Sequence, residues 1–131
     1  MRLEEEARLA VRAALADHPM LAVNLNRIGD GEGDGAPVPS AWIGDAQGND
    51  WGVKDAPGRE IRLGITLADR GDSARLADLA SAAEAAIRAM PRRLGAWDTS
   101  GPTITTTRLT RRRDGTRLAL IDLRLRGWLA A

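Results

Sequence analysis

Residues 103–129 read TITTTRLTRRRDGTRLALIDLRLRGWL, which places two strand-like runs on either side of Asp114-Gly115. Asp-Gly between such runs is the strongest short-range signal for a β-hairpin. It favours a type I′ turn, because that turn needs a positive φ at both central residues. The segment therefore predicts one long C-terminal hairpin around which the rest of the chain is organised.

The second arm of this hairpin has two different faces. Ala119, Ile121, Leu123 and Leu125 form an apolar stripe with a period of two. The alternate positions become polar or amphipathic, with Asp122, Arg124, Arg126 and Trp128. An arm of about 13 residues spans about 43 Å, whereas a chain of this length has a diameter of about 36 Å. We expect the apolar stripe to pack beneath helices and part of the hairpin to overhang the core.

Length and composition indicate a single domain, residues 1–131, that is large enough to bury a core. There is no cysteine for a disulfide or a thiolate metal site. No apolar run approaches the roughly 20 residues of a membrane span, and the first ten residues, MRLEEEARLA, are too acidic for a signal peptide. We expect a protein that is synthesised in the cytoplasm and has no membrane partner.

Charge is distributed unevenly along the chain although the net charge is only +1. Residues 1–58 carry five basic and ten acidic groups, whereas residues 59–131 carry fourteen basic and eight acidic groups. Such polarity can orient self-association or docking.

Hydrophobic periodicity predicts two helices and several strands. Apolar residues at spacings of three and four indicate a helix over residues 2–16, and His18-Pro19 ends it. Strict alternation over residues 59–69 predicts a half-buried strand, and residues 73–90 predict a second helix that ends before Pro91. Residues 20–28 fit either a strand or a helical turn. The predicted fold is α+β: a mostly antiparallel sheet of about four to five strands, two helices on one face, and the long hairpin.

Residues 29–40, GDGEGDGAPVPS, predict a mobile acidic loop that contains Asp30, Glu32 and Asp34. Their spacing imitates a calcium-binding loop, but Ala41 stands where a bidentate glutamate is required. Two short strands containing Trp42 and Trp51 follow and are expected to pair as a small hairpin. Each tryptophan is expected in the core or in an interface.

Catalytic groups are sparse in the sequence. The single histidine, His18, precedes a proline at a helix end, and no serine stands in a G-x-S-x-G setting. No phosphate-binding glycine motif follows a predicted strand. We therefore predict no catalytic residues, no metal ligands, no cofactor and no enzymatic activity.

The arginine run Arg111, Arg112 and Arg113 lies beside the hairpin turn. A small nucleic-acid-binding or regulatory module is one interpretation, because arginine pairs with phosphates and a β-ribbon can enter a major groove. The alternative is a contact with another protein. Alternation sends Arg112 to the face opposite Arg111 and Arg113, which weakens a single basic patch.

The order of these pieces resembles a known family. The pattern comprises an acidic helix start, a Gly/Pro-rich loop, a Trp42 strand and DWGVK at residues 50–54. REIRLGITLADRGD, DLASAAEAAIRAM and RLTRRRDGTRLALIDLRLRG then follow in order. Over nearly the whole chain it resembles the small tail completion or tail terminator proteins of long-tailed phages and gene transfer agents.

This resemblance implies a structural assembly protein that caps the head-proximal end of a tail tube as a homo-hexameric ring. Its implied partners are other copies of itself, the tail tube protein, a head-side connector or stopper protein, and DNA that passes through without sequence-specific binding. The protein is then incorporated in the particle at the head–tail junction. The expected subunit or partner interface comprises Arg111, Arg112, Arg113, Arg124, Arg126, Trp128, Trp42 and Trp51.

Overall fold

The computed structural model of the protein describes residues 1–30, 37–53, 56–71 and 73–130. Within these residues the chain forms three helices and one eight-stranded sheet. The helices are α1 (Leu3–Asp17), α2 (Pro19–Asn24) and α3 (Ser73–Arg88). The strands are β1 (Ile28–Asp30), β2 (Ser40–Ile43), β3 (Gln47–Val53), β4 (Ala56–Asp69), β5 (Arg93–Leu94), β6 (Trp97–Thr99), β7 (Thr103–Arg111) and β8 (Arg117–Leu129).

Strands β4 and β8 form the centre of the sheet. They pair antiparallel from Arg59 opposite Gly127 to Asp69 opposite Arg117. On the far side of β4, β2 pairs with residues 65–68 and β3 with residues 56–62. On the far side of β8, β6 pairs with residues 127–129 and β7 with residues 117–124. Each central strand is therefore flanked by two shorter strands placed end to end.

Helices α1 and α3 lie against one face of this sheet and enclose the core, and α2 packs against both of them. The buried stripe of α1 is Leu3, Ala7, Val11 and Leu15, as the helical spacing predicted. The small face of α3 packs on β4 and β8, so that Ala119, Ile121, Leu123 and Leu125 are buried. The predicted packing of this apolar stripe beneath helices is confirmed. We call the opposite face of the sheet the outer face.

The hairpin between β7 and β8 exists, but its turn differs from the prediction. The N–H of Gly115 donates to the Arg112 carbonyl at 3.1 Å, and the N–H of Arg112 donates to the Thr116 carbonyl at 2.8 Å. Only Gly115 has a positive φ, of +90°, and Asp114 does not. These contacts define a three-residue loop, a type I turn followed by a left-handed glycine. The predicted type I′ turn is wrong because Asp114 avoids the left-handed region.

The α+β class is confirmed, whereas the details of the sheet are corrected. The described residues hold three helices rather than two, because Pro19 starts a short second helix. The sheet has eight strands rather than four to five, and it is mixed because β1 runs parallel to β2. The strands that contain Trp42 and Trp51 do not pair with each other, since each pairs with β4.

The predicted overhang of the hairpin is also wrong for its second arm. Strand β8 is paired with β4 along Arg117–Gly127. The long arm is accommodated because β4 is equally long, extending over 14 residues. The first arm, β7, lies at an open edge with mostly exposed side chains.

Candidate interaction surface

The outer face of the sheet collects most of the predicted interface residues. Side chains alternate between the two faces of a strand, and the odd positions of β8 face the helices. Arg124, Arg126 and Trp128 therefore project from the outer face. The register brings Trp51 of β3 opposite Gly58 and Trp42 of β2 opposite Thr66, on the same face.

Two tryptophans that are far apart in sequence meet on this surface. The Trp51 and Trp128 rings lie 5.3 Å apart between centroids at 64°, an edge-to-face arrangement. The guanidinium of Arg126 lies over the Trp51 ring, 4.3 Å from its centroid. We call Trp51, Trp128, Arg126 and Glu60 the tryptophan–arginine cluster.

Glu60 pairs with two arginines of the outer face, one inside this cluster and one beside it. Its carboxylate accepts a hydrogen bond from Nε of Arg126 at 2.8 Å and lies 3.2 Å from Nη2 of Arg62. The hydrogen bond from Arg126 is the main reason that the pKa of Glu60 lies below its usual value. One carboxylate thus serves two guanidinium groups. Arg124, which is opposite Arg62 across the strands, has no acidic partner among the described residues, so the surface carries a surplus of positive charge.

A glycine makes room for the tryptophan pair. A Cβ added to Gly58 would lie 2.7 Å from Nε1 of Trp128 and 3.0 Å from the Gly127 carbonyl. Gly58 lies within β4 and pairs with Trp51. A glycine inside a strand signals a close approach to the backbone, and this signal indicates the position without identifying the two rings.

The arginine run at the hairpin tip divides between the two faces. Arg112 reaches over the Trp42 ring, 5.9 Å from its centroid, on the outer face. Arg111 pairs in register with Arg117 and projects from the helix side, and Arg113 lies exposed in the turn. The three residues therefore do not form one continuous patch for a nucleic-acid backbone.

Asp30, the first of the three acidic residues predicted in a mobile loop, lies in a strand instead. Asp30 is the last residue of β1, and its carboxylate accepts hydrogen bonds from Arg8 at 3.0 Å and Arg12 at 3.1 Å. It anchors the strand to α1. Glu32 and Asp34 lie outside the described residues.

Groups suited to chemistry are dispersed over the described part of the chain. His18 caps the C-terminus of α1, and its Nδ1 atom is buried without a hydrogen-bond partner. No group of three or more His, Asp or Glu side chains that could hold a metal ion occurs among the described residues. The helices in the described ranges are all too short or too polar to cross a bilayer.

The fold is shared with a solved structure. It matches a chain in a structure described as the virion of a native gene transfer agent particle, with a TM-score of 0.77 and 19% sequence identity. The match covers 92% of this chain and 93% of that chain, and it shows a shared fold. No curated protein matches the sequence.

The family is given by a second comparison. Residues 9–129 match the family of tail completion protein gp17, and the chain belongs to this family. The resemblance inferred from the order of sequence elements is confirmed. Family membership gives the protein a structural role in tail assembly.

Proposed function

We propose that the protein caps the head-proximal end of a phage-like tail tube as a hexameric ring, ends tube growth and forms part of the head–tail joint around a DNA channel. Membership of the tail completion family supports this proposal, as does the fold shared with a chain of a gene transfer agent particle. In this role the protein is synthesised in the cytoplasm and incorporated at the head–tail junction.

The observation that carries the proposal is the tryptophan–arginine cluster on the outer face. The helices of the described residues cover the other face of the sheet. Trp51 remains 37% exposed although it packs against Trp128. Tryptophan and arginine are the residues that most often dominate the binding energy of protein interfaces. A rigid aromatic pair with an ordered guanidinium therefore fits a contact with another protein of the particle.

The tail tube protein and the head-side connector are the partners that this position requires. Arg124 is available for a partner's carboxylate, because no described acidic residue pairs with it. Arg126 is preorganised by Glu60 and by the Trp51 ring. In this proposal DNA passes through the ring without sequence-specific binding.

Charge reversal on the outer face tests this proposal. We expect Arg124→Glu together with Arg126→Glu to reduce assembly into rings, measured by native mass spectrometry and by sedimentation with purified tail tubes. Arg124→Glu alone separates assembly from folding, because its side chain has no ion pair with any described residue to lose. The control is Arg88→Glu with Arg92→Glu, at and just beyond the end of α3. Because Arg88 lies 3.6 Å from Glu84, the folding of this variant is checked by circular dichroism. An unchanged assembly profile for both outer-face variants would count against the proposal.

A further inference from the structure

Two long edges of the sheet are open among the described residues. Strand β7 pairs only with β8, and β3 pairs only with β4. An open edge presents unpaired N–H and C=O groups that can bind another strand. The nine residues of β7 contain no proline, and Leu109 at this edge is 56% exposed. Both edges are thus able to accept a further strand.

The hydrogen-bond pattern identifies the free backbone groups of β7. Arg112 and Thr116 form a hydrogen-bonded pair. In an antiparallel ladder, hydrogen-bonded and non-hydrogen-bonded pairs alternate. The N–H and C=O groups of Thr110 are therefore directed to β8, and those of Leu109 and Arg111 are directed to the open edge.

A proline fixes the same pattern in β3. Gly52 pairs with Pro57, which has no N–H to donate, so this is a non-hydrogen-bonded pair. The alternation then directs the N–H and C=O groups of Gly52 and Asp50 to the open edge of β3.

The residues whose N–H and C=O groups are directed to the open edges have their side chains on the helix side of the sheet. Leu109 is opposite the buried Ala119, and Asp50 binds Arg59, which also binds Glu4 of α1. Joining the two edges therefore keeps the helices of neighbouring copies on the same face of the joined sheet. The strands β3 and β7 run in opposite directions within one subunit, because three antiparallel pairings separate them.

The charges of the two edges are complementary. Strand β7 carries Arg108 and Arg111 and no acidic residue. Strand β3 carries Asp50, whose side chain is 96% exposed, and no basic residue. Pairing two β7 edges would bring basic residues together with no acidic residue to offset them, and like charges across strands are destabilising when they lie opposite each other. The favourable contact is therefore between different edges, the heterologous type that closes rings.

We propose that β7 of one copy pairs antiparallel with β3 of the next copy, with Arg111 opposite Asp50 and Leu109 opposite Gly52, so that one sheet continues from subunit to subunit. In a ring, neighbouring copies are related by a rotation about the ring axis, and this rotation leaves the direction of each strand along the axis unchanged. Because β3 and β7 run in opposite directions within one copy, β7 of one copy and β3 of the next also run in opposite directions, so the two edges meet antiparallel. The inference rests on the proposed ring and specifies which segments hold its subunits together.

Engineered cysteines test the register directly, because the natural sequence has no cysteine. The test variant carries Leu109→Cys and Gly52→Cys. Within one subunit these positions are separated by three strand spacings, about 14 Å, and by ten residues along β4, about 33 Å, which is far beyond the roughly 7 Å reach of a disulfide. The control carries Leu109→Cys and Val23→Cys, since Val23 is an exposed residue of α2, away from both edges.

Mild oxidation is followed by non-reducing electrophoresis and native mass spectrometry, in solution and with purified tail tubes. We expect a ladder of linked copies up to the closed ring for the test variant and only background linkage for the control. A ring without selective cross-links would overturn the edge pairing and leave the proposed function standing. Absence of any oligomer, also on tail tubes, would overturn both.

A proline substitution provides a second test that does not depend on disulfide geometry. Leu109→Pro removes an N–H directed outward, so that the pairing of β7 with β8 is kept. We expect a folded protein, shown by unchanged circular dichroism, whose ring assembly falls by about tenfold or more. Rings formed at the normal concentration by a folded Leu109→Pro variant would contradict the edge pairing.

Discussion

The substitution Gly58→Ala tests whether the tryptophan–arginine cluster is held as tightly as the structure indicates. The new methyl group would lie 2.7 Å from Nε1 of Trp128 and 3.0 Å from the Gly127 carbonyl, and it would also meet the carbonyl of Trp51. The Trp128 side chain can leave its position, but the two carbonyls belong to the backbone and cannot move away cheaply, so both the tryptophan pair and the local strand geometry are disturbed. Overpacking of this kind costs about 1–3 kcal/mol, and loss of the edge-to-face pair adds about 1 kcal/mol.

Part of this cost is offset because alanine reduces the conformational entropy of the unfolded chain by about 0.4–1 kcal/mol. The net expectation is a destabilisation of about 2 kcal/mol. Urea unfolding monitored by tryptophan fluorescence and by circular dichroism measures it. The fluorescence of the folded state should also change, because the environments of Trp51 and Trp128 change.

Gly64→Ala is the matched control for Gly58→Ala. Gly64 is also in β4 on the outer face, but its added Cβ meets Oδ1 of Asp122 at 3.1 Å, the far end of a side chain that can rotate away. We expect a change within about 0.5 kcal/mol. Equal stabilities of the two variants would show that Trp128 is not fixed over Gly58.

Three further substitutions test the internal contacts of the fold. Hydrogen bonds from Arg2 and Arg59 outweigh burial and lower the pKa of Glu4, so its contribution is complete above the unfolded pKa and is lost as the pH falls through the lower folded pKa. Glu4→Gln should therefore lower the free energy of unfolding by about 1 kcal/mol at pH 7 and by much less near pH 3, measured by urea titrations at both pH values. The carboxylate of Asp69 is 1% exposed and binds Nε of Arg75 at 2.6 Å, so Asp69→Ala should cost about 2–3 kcal/mol in thermal or urea unfolding. A Cβ added at Gly115 would meet no other atom, but the residue has a φ of +90°. Gly115→Ala should therefore cost about 1 kcal/mol through backbone strain alone. An unchanged stability would contradict the left-handed conformation of this turn.

Long, regularly alternating segments were predictable from sequence because their periodicity reports burial directly. This holds for the strand over residues 59–69 and for the second arm of the hairpin, whose odd positions are buried. Short strands such as β5, with two residues, and β6, with three, contain too few positions to show a period. The sheet was therefore predicted with too few strands.

For the outer face, the sequence predicts individual interface residues but not the contacts between them. Trp51 and Trp128 are recognisable as candidates because each is a large aromatic side chain in a strand-like segment. Their contact depends on the joint register of β3, β4 and β8, and β8 follows β4 only after a long stretch of sequence that contains α3. The role of Glu60 in ordering Arg126 was missed for the same reason.

Tail-tube growth in the presence of the purified protein tests the central claim most directly. Tubes are assembled from the tail tube protein, the protein is added, elongation is followed by light scattering, and the tubes are imaged by electron microscopy. The proposed function predicts that elongation stops and that a six-fold ring lies at one end of each tube. Continued elongation with no density at either end would contradict it.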